Sequence, residues 1–180
     1  LNSMPDRATS ERLIDYYNDQ VSDLTRQLAD DEITVGTWQI TMRQLLRDAF
    51  ADQLRAGAAP ETPVSSDYLM LGPLLRAQYE YLEGFARDIA AGFMSFDQIA
   101  ARARLYVGAS REAYWRYVTR GAKLPAYPGD GSSECLGNCG CEWVEVVADS
   151  GQWSWVRGKD DSCPTCLQRA IEWNPYVVGE

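Results

Sequence analysis

Five cysteines carry the clearest chemistry in this sequence, and all of them fall between Cys135 and Cys166. They read Cys135-x3-Cys139-x-Cys141, then 21 residues, then Cys163-x2-Cys166. Two close groups of thiols, separated by a segment able to fold back on itself, have the spacing of a zinc ribbon or knuckle. Four thiolates satisfy a tetrahedral Zn²⁺ and leave no open position. A Cys-x-x-Cys turn presents two sulfurs to one ion, and its backbone N–H groups can point at them. The expected ligands of a structural zinc ion are Cys139, Cys141, Cys163 and Cys166. Cys135 is the alternative ligand, because Cys135 or Cys139 can each pair with Cys141. Cys139 is preferred because Gly140 relieves the crowding between two adjacent ligands. So small a module lacks a core of its own, and metal would supply folding energy on the order of 10 kcal/mol.

Other chemistries fit the residues less well. The chain has no histidine, which removes Ser-His-Asp and Cys-His nucleophiles, imidazole metal ligands and a histidine pH switch. A disulfide framework calls for an even number of cysteines and an oxidising compartment. A redox pair at Cys163-Pro164-Thr165-Cys166 would precede a short helix, but without the βαβ context of such sites. A zinc deaminase needs a Cys-x-Glu or His-x-Glu element before its Cys-x-x-Cys. Here those places read Cys139-Gly140-Cys141 and Cys141-Glu142-Trp143. Asp160-Asp161 is the one acidic pair that invites a small carboxylate hydrolase, and solvated loop acids explain it equally well.

The elements that would position these thiols follow from periodicity. Leu13, Tyr17, Val21, Leu24 and Leu28 form a helical stripe from Ser10 to about Leu28, with Thr9 or Ser10 as its cap. A second helix runs from Val35 to Ala56, with Trp38, Met42, Leu45, Ala49 and Gln53 on one face. A third spans Asp67 to Ala91 after a cap at Ser66; its main run starts with Pro73 in the first helical position. A fourth starts at the Ser95-x-x-Gln98 capping box and continues to Thr119, with Gly108 as a point of bending or close packing. Residues 121–134 are rich in Gly, Pro and Ser and read as a linker or arm. Cys141–Val147 and Trp153–Val156 flank the turn Ala148-Asp149-Ser150-Gly151 and read as a hairpin. A short helix from Pro164 to Trp173 follows, ended by Asn174-Pro175. The expected fold is therefore mainly α. A four-helix bundle-like body (1–120) leads through the arm (121–134) to a zinc-ribbon-like hairpin module with a terminal helix (135–180). Trp143, Trp153, Trp155 and Trp173 surround the cysteines, either covering the module or anchoring a partner protein.

The whole chain has 180 residues, 46% hydrophobic and 24% charged, which is a globular balance. Its formal net charge is −9, so neither nucleic acid nor an anionic membrane is an expected partner. Within 135–180 the bases are Arg157, Lys159 and Arg169, too few for a basic docking face and a poor match for a zinc-ribbon nucleic-acid adaptor. No apolar run reaches the roughly 20 residues of a membrane span, and no signal peptide is visible.

The stretch from Trp155 through Asp161 to Cys163-Pro-Thr-Cys166 resembles a signature of tailed-phage minor head proteins, the head-morphogenesis family. Asn138-Cys139-Gly140-Cys141 resembles the family's Asn-Cys-x-Cys element. Gln78, Tyr79, Tyr81 and Leu82, then the Pro125–Gly131 arm, then Trp173 and Pro175, are similar to features of phage and prophage structural proteins. In the family pattern the Cys-x-Cys element follows Cys-Pro-x-Cys behind a His-Pro; here the order is reversed and histidine is absent. The resemblance implies a minor virion or head-assembly component acting by binding rather than catalysis. Its partners would be capsid-type or portal-type proteins or further copies of itself, in the virion or the host cytoplasm.

Overall fold

The structure, a computed structural model, describes residues 7–119, 122–147, 150–158 and 162–179. The mainly helical fold with a small antiparallel sheet and a short terminal helix is present. The helices are α1 (Arg7–Ala29), α2 (Val35–Ala58), α3 (Leu71–Ala90), α4 (Phe96–Ala109), α5 (Arg111–Val118) and α6 (Pro164–Glu172). The strands are β1 (Glu142–Glu145), β2 (Gln152–Val156) and β3 (Tyr176–Val177), in the order β1-β2-β3 and antiparallel throughout. No described helix is long and apolar enough to cross a membrane.

Helix α2 is the centre of the body. It packs against α1, α3 and α5, while α1 also packs against α4. Of its stripe residues Trp38, Met42, Ala49 and Gln53 are fully buried and Leu45 is partly so, while Leu46 beside it is fully buried. The Trp38 ring meets Phe85 edge-on at 5.4 Å, and its Nε1 donates to Thr25 Oγ1 at 3.4 Å. Burial of these side chains is the main force holding the body, since truncating a buried Leu to Ala typically costs about 2–5 kcal/mol.

Several boundaries differ from the pattern. Helix α1 begins at Arg7, so Ser10 lies inside it and caps nothing. Ser10 Oγ instead donates to Gln53 Oε1 at 2.6 Å, and Gln53 Nε2 donates back to the Ser10 carbonyl at 2.9 Å. That closed pair is how a polar residue sits at 0% exposure on the α2 stripe. The region from Asp67 divides into a 3-10 turn, Asp67–Met70, and α3. Ser66 makes no capping bond, and Pro73 is the third residue of α3 rather than the first. Its missing N–H is still harmless there, because first-turn N–H groups have no partner within the helix.

The expected helix Ser95–Thr119 is two helices that break at Ser110. The capping box forms: Ser95 Oγ accepts from Gln98 N–H, and Gln98 Oε1 accepts from Ser95 N–H. The break is set by the segment packed against it. A 3-10 turn, Leu136–Asn138, lies on α4 so closely that a Cβ on Gly108 would fall inside the Gly137 carbonyl. Arg111 then donates to that same carbonyl at 2.8 Å. Gly108 thus permits close packing, and the bend comes two residues later.

Residues 122–134 run along the body. Leu124 and Ala126 are buried, Trp143 Nε1 donates to the Ala126 carbonyl at 2.9 Å, and the Arg116 guanidinium lies over Tyr127 at 4.6 Å. One apolar cluster joins Ala56, Tyr114, Trp115 and Leu124 to Trp143, Trp155 and Cys166. The third strand is too short to show any alternation in sequence. Ala148 and Asp149 of the expected turn, and Lys159, Asp160 and Asp161, lie outside the described residues.

Candidate metal centre

The hairpin brings its two ends together beside α6. Cys141 immediately precedes β1, and Glu142 pairs with Val156 at the end of β2. The chains stay in contact beyond the ladder: a Cβ on Gly158 would come within 2.7 Å of the Gly140 carbonyl oxygen. The returning chain then reaches Cys163, which occupies the N-cap position of α6 in an extended conformation, with Pro164 opening the helix. Proline fits there because its φ is preset and no donor is lost. Cys166 follows in the first turn.

All five sulfurs belong to one cluster, as two triads that share Cys166. Cys139, Cys141 and Cys166 form a buried set; Cys135, Cys163 and Cys166 form a more open one. Within each triad the sulfurs lie within 4.8 Å of one another. Cys139 Sγ and Cys166 Sγ are 3.8 Å apart, close to the edge of a tetrahedron with Zn–S bonds of about 2.3 Å. Of the four expected ligands, Cys139, Cys141 and Cys166 are brought together directly. Cys163 is in reach of Cys166 but stands on the other side of it, next to Cys135. All five are free thiols.

Nearby backbone N–H groups favour the ionised form of these thiols. The backbone at Cys141 acts to lower the pKa of the Cys139 thiol, that at Gly158 the Cys141 thiol, that at Cys166 the Cys163 thiol and that at Cys163 the Cys135 thiol. Such donors favour thiolate over thiol and are the surroundings that metal-bound cysteines use. The thiols themselves divide. Their shared hydrogen bond, with burial behind it, pushes Cys139 up, and the same bond pulls Cys141 down. Burial pushes Cys166 and Cys135 up. Burial also opposes ionisation of Cys163, but the Cys135 thiol and the Cys166 N–H outweigh it and bring Cys163 down.

The tryptophans cover the cluster. Trp143 and Trp155 are almost wholly buried, meet edge-on at 5.2 Å, and pack with Trp173, which stacks on Trp143 at 5.6 Å. Arg169, one turn beyond Cys166 on α6, lies 5.3 Å above Trp155 and 5.0 Å from Trp173, and donates to the Ser132 carbonyl. An apolar lid and one nearby buried cation, Arg169, suit an anionic metal–thiolate group.

Three features were not read from the sequence. Glu134 accepts from the N–H of Thr165, inside the Cys163–Cys166 turn, at 3.3 Å. Hydrogen bonds from Thr165, from its own backbone and from Cys163 hold its carboxyl down at about 2. Arg7 donates to Glu142 at 2.8 Å and to the Gly140 carbonyl at 2.6 Å, linking the start of α1 to the cysteine hairpin. Arg111 grips Glu11 through two bonds, the shorter 2.8 Å. These arginines and Arg157 border a cleft of about 610 Å³ that reaches Cys135 and Cys141. Adjacency to a cysteine group flags Glu134 only in hindsight; Arg111 and Arg7 reach partners 26 and 135 residues away. No family model, curated protein or solved structure matches this chain.

Proposed function

We propose that the chain is a non-catalytic structural or assembly protein of the tailed-phage minor head type. Its C-terminal module is stapled by zinc on Cys139, Cys141, Cys163 and Cys166. The observation that carries the metal part is the gathering of the buried triad of Cys139, Cys141 and Cys166, packed in one apolar cluster with Trp143, Trp153 and Trp155. Cys163, on the same Cys-x-x-Cys turn, is grouped with Cys135 and Cys166 in this structure and would have to swing toward the buried triad to complete a tetrahedron. Coordination filled by protein sulfur leaves no position for substrate, so the ion's contribution is to folding.

The phage assignment is supported by the resemblance in 138–141 and 155–166, and the acidic balance of the chain suits a protein partner better than nucleic acid. Metal analysis of protein purified under reducing conditions tests the staple: bound zinc supports it, and a metal-free chain with intact fold removes it. Genomic position tests the assignment. Portal and capsid genes beside this one support it; a setting without any virion gene overturns it.

A further inference from the structure

The five thiols differ in what can reach them. Cys139, Cys141 and Cys166 are buried in the tryptophan cluster, whereas Cys135 and Cys163 are half-exposed. The sulfurs of Cys135 and Cys163 lie within 4.8 Å of each other in the open triad. Cys135 lines the cleft of about 610 Å³ bordered by the arginines, and so does Ser162, the neighbour of Cys163. A cleft of that size admits a small molecule. Each of the two cysteines stands just before a short element, Cys135 at the Leu136–Asn138 turn and Cys163 at α6. Neither side chain makes a capping bond there, so no cap is lost when either turns about its Cα–Cβ bond.

We infer that Cys135 and Cys163 form an oxidation site, at which a small hydroperoxide converts the two thiols into one disulfide. The chemistry balances in two steps. One thiol, as its thiolate, attacks an oxygen of the hydroperoxide and the O–O bond breaks. That sulfur becomes a sulfenic acid, and the other oxygen leaves as an alcohol (water, for hydrogen peroxide) with the proton the thiol gave up. The second thiol then attacks the oxidised sulfur, and the S–O bond breaks to release water. Each sulfur loses one electron, and the hydroperoxide takes both. Cys139 and Cys166 are also a close pair, at 3.8 Å, but both are buried, and thiol oxidation follows exposure. The inference does not rest on the zinc reading, yet the two meet at Cys163, because a sulfur held in a disulfide is no longer a thiolate ligand. The cross-link ties the turn packed on α4 to the start of α6, and this tie needs no ion.

The test treats the full chain, purified under reducing conditions and then freed of reductant, with an equimolar amount of hydrogen peroxide. Remaining thiols are alkylated, and disulfides are mapped by peptide mass spectrometry. The expected result is the loss of two of the five free thiols as one Cys135–Cys163 disulfide, which dithiothreitol reverses. In Cys135→Ser, with circular dichroism unchanged, disulfide formation within the chain should slow roughly tenfold or more. A disulfide mapped to Cys163–Cys166, to Cys139–Cys166 or between two chains overturns the site, as do five thiols that stay free. Disulfide formation as fast in Cys135→Ser as in the parent overturns it too. Zinc is followed in the same samples with a chromogenic chelator. Release in step with the cross-link supports both this site and Cys163 as a zinc ligand. Cross-linking with zinc retained supports the site and removes Cys163 from the zinc reading. A zinc-loaded chain that does not cross-link overturns the oxidation site alone.

Discussion

At Cys166 two sets of sulfurs meet, and its side chain is fully buried. Replacement by serine removes the one ligand common to both sets. Cys166→Ser is expected to abolish metal binding and to unfold the tryptophan-covered module, seen as a red shift of tryptophan emission. Arg111 is the second residue on which much converges. Arg111→Ala should cost about 2 kcal/mol in urea unfolding, because it cuts two bonds to Glu11 and one to the Gly137 carbonyl. The partial exposure of Glu11 keeps the figure modest. Burial alone would raise the Glu11 carboxyl, but Arg111 and Arg7 outweigh it and hold it below its ordinary value of 4.5. Stability from this group is complete above that value and is lost as pH falls through the lowered one. Glu11→Gln should therefore lose less stability than the parent on acidification below about pH 4.5. The cysteine spacing was readable in advance because it depends on local chain direction. The roles of Arg7, Arg111 and Glu134 depend on contacts across the fold, which no local pattern records.

Among the elements, the junction of α4 with the Leu136–Asn138 turn is the tightest. Gly108 and Gly137 face each other with no room for a side chain on either. Gly137→Ala should lower the thermal midpoint by several degrees, whereas Gly72→Ala, in open space within α3, should be neutral or slightly stabilising. Equal effects at the two sites would show that the close packing does not matter. Ser95→Ala should cost about 1 kcal/mol by removing a formed cap. The capping box was legible because its four residues are contiguous. The break at Ser110 was not, because it is imposed by a turn almost thirty residues further along that pins Arg111. The β hairpin was visible in its Trp and Val content, while β3 is held by pairing with β2 and leaves little trace in two residues.

For the whole molecule, the cysteine module and the helical body share an apolar cluster as well as the Arg7 and Arg111 contacts. Chelation by a strong zinc ligand should therefore change tryptophan emission first and lower the thermal midpoint of the helices as well. Melting of the module with the helical transition unmoved would show that the shared cluster contributes little. The Arg7–Glu142 bond also has a consequence in time. Its partners are 135 residues apart, so at ribosomal speeds Arg7 waits on the order of 10 s before Glu142 is made. Helices α1 and α2 are neighbours and can pair during that interval. The sulfur cluster cannot close until Cys166 has left the exit tunnel, so the first helices can pair before the five thiols are able to meet.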